Sequence, residues 1–143
     1  MGEALLSAQE AAAIGEVPVG AVVVLDGRIV GRGHNAPISR HDPTAHAEVQ
    51  ALRAAAAAVG NYRLTGAVLY VTVEPCLMCV GALVHARVAE VVFGAPEPKS
   101  GALVSSVRAH ELPGLNHRFA VTGGVRDAEC AALMRRFFAE RRV

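Results

Sequence analysis

The stretch "AVLYVTVEPCLMCVGALVHA", residues 67–86, changes character halfway along. Its first seven residues are uncharged and rich in β-branched side chains, the pattern of a central strand covered on both faces. Glu74 and Pro75 end that run. Proline suits the first turn of a helix, where its missing N–H costs nothing, so a helix is expected over 77–85. A buried strand that feeds a helix is half of a crossover unit and points to an α/β domain with parallel strands. Cys76 and Cys79 stand at the start of that helix.

Working outward, "PTAHAEVQALRAAA" at 43–56 opens a second alanine-rich helix, expected over 45–59 and closed by Gly60-Asn61. Before it lie two β-rich runs, 19–25 and 28–33, split by Asp26-Gly27, a strong hairpin signal. The polar, proline-containing segment between hairpin and helix, "HNAPISRHDPTAH", reads as a functional loop. Residues 4–14 read as an opening helix with Gly15 as its C-cap. Downstream, "AEVVFGA" at 89–95 is a further strand, and 96–118 reads as loops around a short helix near 101–109. A strand near 118–122 and a helix over 127–140 complete the chain. In that helix Cys130, Leu133, Met134, Phe137 and Phe138 follow the rhythm of one apolar face. The order predicts a three-layer α/β/α fold with a mixed five-stranded sheet, residues 1–143 forming one domain.

Composition narrows the function classes. Hydrophobic residues make up 52% and aromatics 4%, so the core is expected to be aliphatic. The net charge is only +1, so any contact with nucleic acid must come from local clusters such as Arg135-Arg136 and Arg141-Arg142. No run of eighteen apolar residues argues for a membrane span, and no basic stretch with an apolar core argues for a signal peptide. Three cysteines fit a reducing cytoplasm better than a disulfide scaffold.

The C-x2-C spacing of Cys76 and Cys79 is that of a metal knuckle, but also of a redox dithiol or of two buried thiols. Ligand counting favours the metal when a third donor is sought. The remaining cysteine, Cys130, lies on the apolar face of the last helix, where a small hydrophobe belongs. A protein-coordinated site must therefore enlist histidine, and His46 is placed at a helix start as the cysteines are. Helix amino ends favour thiolate. Three protein ligands leave a fourth position for water, the catalytic rather than the structural arrangement. His34 and His41 lie in the adjacent loop; His85, His110 and His117 have no metal-ligand spacing. Glu48, two residues after His46, is then placed to move protons beside the ion. Glu74 is left open between orienting a loop or ligand and filling a strand end.

H-x-E followed by P-C-x-x-C is the known signature of zinc deaminases, whose Glu shuttles protons and does not bind the metal. Longer strings are more specific. "EVPVGAVVV", "RHDPTAHAE", "NYRL", "LYVTVEPCLMCVGA", "VVFGAPEPKSGA" and "NHRFAVTGG" closely resemble the bacterial tRNA-specific adenosine deaminases, over nearly the whole chain. These enzymes convert adenosine to inosine at the wobble position and share the cytidine-deaminase-like fold. The resemblance implies one zinc per subunit on His46, Cys76 and Cys79, Glu48 as proton shuttle, and Asn35 and Val19 against the target nucleoside. It also implies a homodimer with the anticodon loop across both subunits, held by residues including Lys99 and Phe138. Where the family usually has an aspartate associated with the target ribose, this chain has Glu97, between Pro96 and Pro98. Two rivals stand beside this reading: a deaminase of free small molecules, and a non-catalytic zinc-stabilised RNA-binding module.

Overall fold

The computed structural model describes residues 1–142. Helix α1 (Gly2–Ala13) leads into the hairpin of β1 (Gly20–Leu25) and β2 (Arg28–His34), followed by the single turn α2 (Pro37–Arg40) and the long α3 (Ala47–Val59). The crossover unit is β3 (Val68–Val73), α4 (Leu77–Ala86) and β4 (Glu90–Ala95). A 3-10 turn at Ala109–Glu111, β5 (Ala120–Thr122) and α5 (Asp127–Glu140) complete the order.

The five strands form one sheet in the order β2-β1-β3-β4-β5. The pairs β2/β1 and β1/β3 are antiparallel, while β3/β4 and β4/β5 are parallel, so the sheet is mixed. Asp26 and Gly27 both have positive φ, 53° and 76°, as the two-residue turn between twisted strands requires. Helices α3 and α4 cover one face, and α1 and α5 the other. The larger core lies under α3 and α4, where Ala51, Ala55, Leu69, Val71, Leu83 and Val91 are buried. A smaller cluster of Leu5, Ala8, Ala95, Cys130 and Leu133 sits under α1 and α5, where Cys130 is a packed thiol as expected.

Close approach of α3 to the hairpin needs glycine. A Cβ at Gly31 would collide with Ala51 and Ala55, and one at Gly33 with Ala47 and Ala51. This contact fixes the helix whose first turn carries the candidate site.

Two expectations change. The helix near 101–109 does not form: residues 98–100 and 102–105 are turns, and only Ala109–Glu111 makes a 3-10 turn. The backbone N–H groups of Leu103, Val104 and Ser105 bond instead to the Glu74 carboxylate. The segment 34–46 is also not all loop, since Pro37–Arg40 makes one helical turn. The carboxylate of Glu16 accepts from the N–H groups of Ile38 and Ser39 and from Ser39 Oγ, and so holds its amino end.

Candidate active site

His46 and Cys76 occupy equivalent positions, each the extended residue that caps the amino end of a helix, α3 and α4 respectively. Neither side chain caps its own helix, so both are left to face one another. The turn before His46 is built by Asp42, whose Oδ1 accepts from the N–H and Oγ1 of Thr44 at 2.8 and 2.7 Å. The first-turn N–H of Ala47 donates to Asn35 Oδ1 at 2.9 Å, which ties the end of β2 to α3. Cys79, one turn into α4, is fully buried.

His46 Nδ1 lies 3.6 Å from Cys76 Sγ and 3.5 Å from Cys79 Sγ. The donor atoms of the three residues all fall within 4.8 Å of one another. A tetrahedral ion with Zn–S of about 2.3 Å and Zn–N of about 2.0–2.1 Å holds sulfur and nitrogen about 3.6 Å apart. The donor set thus fits a metal ion of zinc's size and softness.

The electrostatics agree. Hydrogen bonds from Cys79 and His46 bring the Cys76 thiol down to about 4. The Cys79 thiol shares that hydrogen bond and is buried besides, which pushes it up. The imidazole is raised chiefly by its hydrogen bond to Cys76. The pair holds a proton that a soft divalent cation would displace. Glu48 is buried, and burial pushes its carboxyl up to about 7, where a group can both take and give a proton.

A cleft of about 140 Å³ opens onto these groups. Val17, Val19, Asn35, Glu48, Glu97 and Ser100 line it together with His46 and Cys76. Met134 of α5 also reaches it. The structure therefore brings together His46, Glu48, Cys76, Cys79, Asn35, Val19 and Glu97. Lys99 and Phe138 lie outside it: Lys99 is exposed with its N–H on Glu97 Oε1, and Phe138 stands edge-on to Phe137 on α5, 43% exposed.

Sequence reasoning did not find Ser100, Met134 or Glu16, and it left Glu74 open. Glu74 proves to be a loop anchor, accepting from Glu97 N, Leu103 N, Val104 N, Ser105 N and Ser105 Oγ. The one available signal was a buried-strand end carrying an acid directly before Pro75.

A family model described as MafB19-like deaminase matches residues 1–142. The tRNA-specific adenosine deaminase of Haemophilus influenzae is 48% identical over 143 residues, covering 99% of this chain and 83% of that protein. A solved structure from work on A-to-I editing by tRNA deaminases at the wobble position is 44% identical with a TM-score of 0.91. It covers 93% of this chain and 96% of that one. A guanine deaminase from Nitrosomonas europaea is more distant, at 29% identity and a TM-score of 0.81, over 96% of this chain and 82% of its own. With its deaminase signature assembled at one cleft, the chain belongs to the tRNA-specific adenosine deaminase family, within the cytidine deaminase superfamily fold.

Proposed function

We propose that this chain is a zinc-dependent hydrolase that converts adenosine to inosine at the wobble position of a tRNA anticodon loop. The observation that carries the reading is the burial of Glu48 beside the His46–Cys76–Cys79 donor set, with His46, Glu48 and Cys76 lining one cleft. His46, Cys76 and Cys79 would hold one zinc ion per subunit. When bound, zinc supplies Lewis acidity that makes water nucleophilic near neutral pH.

The residues then divide the work. Asn35 has its Oδ1 committed to Ala47 N–H, so its amide NH2 is the group left to donate to the nucleoside. Val19 packs against the base. Glu48 takes one proton from the attacking water and gives it to ring N1 of the adenine as the hydroxyl adds at C6. Glu48 then carries the second proton from that hydroxyl to the amino group, the C6–N bond breaks, ammonia leaves and C6 becomes a carbonyl. Glu97 lines the cleft, and its Oε2 would accept from the ribose hydroxyl where the family has its aspartate, since Oε1 already accepts from Lys99 N–H.

Lys99, Phe138 and the neighbouring Arg135 would meet the RNA outside the cleft. We assign a homodimer, supported by a mainly apolar groove between α3 and α4 lined by Val49, Leu52, Ala56, Tyr62, Ala82 and Ala86, with Arg53 and His85 also in its lining. Three free cysteines support a cytoplasmic setting. Among the described residues no helix is long and apolar enough to cross a membrane. The test is to incubate pooled tRNA with the pure protein and sequence it. A base change confined to a wobble adenosine supports the reading, and unchanged tRNA contradicts it.

A further inference from the structure

Glu74 is buried, 3% exposed, and all of its side-chain hydrogen bonds come from one loop. Oε2 accepts from the N–H groups of Leu103, Val104 and Ser105 at 3.1, 2.8 and 3.0 Å. Oε1 accepts from Glu97 N–H at 3.1 Å and from Ser105 Oγ. One carboxylate therefore grips both ends of the segment 97–105. Gly101 lets the loop wrap tightly, since a Cβ there would fall on the Glu74 carboxyl group. Ala102 N–H adds a bond to Pro75 O at 2.8 Å.

The segment so held lines the cleft through Glu97 and Ser100. The residues after Glu74 are Pro75 and Cys76, so the loop anchor stands two residues before a metal-ligand position. Charge-assisted hydrogen bonds are shorter and stronger than neutral ones. A carboxylate offers about four lone-pair sites, whereas an amide turns N–H donors toward one end and would oppose the Glu97 N–H. The grip is thus specific to a carboxylate.

We propose that Glu74 is a positioning residue, which sets the place of the Glu97–Ser100 wall and thereby the fit of the nucleoside. The inference rests on the reading of the cleft as a nucleoside site. The test uses the zinc-loaded protein with an anticodon stem-loop, comparing Glu74→Gln, Glu97→Ala and the double variant. Glu74→Gln is expected to raise KM by ~10-fold or more, with kcat changed by less than about threefold and zinc per chain unchanged. In that background Glu97→Ala should add little, because the wall is already displaced. Glu74→Asp, which keeps the charge, should recover part of the loss.

Unaltered KM, additive effects, or KM, kcat and zinc content failing together would each overturn the proposal. If Glu74→Gln does not fold, Ser105→Ala removes a single donor; it should raise KM about twofold to threefold, and no change overturns the proposal. Inactivity of the unmodified protein on the stem-loop would instead sink the substrate reading. Amide exchange at 97 and 103–105 needs no substrate and still decides the anchoring. Exchange in Glu74→Gln no faster than in the unmodified protein overturns it.

Discussion

Asn35 Oδ1 accepts the backbone N–H of Ala47 at 2.9 Å, joining the end of β2 to the first turn of α3 between the metal-ligand position His46 and the buried Glu48. One side chain thus satisfies a helix amide and, in the lining of the cleft, keeps its NH2 for a second partner. The two tasks can be separated. Asn35→Asp keeps the oxygen and loses the NH2, so thermal stability should hold while KM for the stem-loop rises by ~10-fold. Asn35→Ala loses both, and should also destabilise by about 1 kcal/mol. Thermal melts beside steady-state kinetics distinguish the two variants.

Glu48→Gln keeps the volume and removes the proton carrier. Zinc content should stay near that of the unmodified protein while kcat falls by at least ~10²-fold. Metal analysis and single-turnover deamination check both halves. Preserved turnover would take Glu48 out of the mechanism.

Glu16 makes stability pH-dependent. Burial alone would raise its carboxyl, but the N–H and Oγ–H of Ser39 and the N–H of Ile38 outweigh it and hold the group below its ordinary value. A carboxylate depressed on folding stabilises fully above its unfolded value of about 4.3, and the contribution is lost as pH falls through the folded value. Glu16→Gln should therefore melt lower than the unmodified protein at pH 7. The gap should close on acidification below about pH 4. A gap constant with pH would contradict the assignment.

Gly33 holds α3 against the hairpin, and α3 carries His46 and Glu48. Gly33→Ala should cost about 2 kcal/mol or more, because the clash is with the Ala47 and Ala51 backbone and not with a flexible side-chain end. Zinc occupancy should fall with it. Denaturant melts and metal analysis read the two effects together.

Much of this arrangement is legible in the sequence because its signals are local. The C-x2-C spacing, the H-x-E pair and Asp26-Gly27 each encode geometry within four residues. Ligand counting then joins His46 to the cysteines across thirty positions. Glu74 is different, because its partners stand up to thirty-one residues away and are mostly backbone amides, which leave no mark on side-chain identity. The helix expected near 101–109 fails for the same reason: three of the amides such a helix would use point at that carboxylate. Glu16 is hidden likewise, its partners lying on the single turn Pro37–Arg40.

The most direct test of the central claim is ammonia release, measured side by side on an anticodon stem-loop with a wobble adenosine and on free adenosine, cytidine, deoxycytidylate and guanine. The zinc-loaded protein should release one ammonia per stem-loop and leave the free compounds intact. Release from a free base, nucleoside or nucleotide, with none from the stem-loop, would contradict the account.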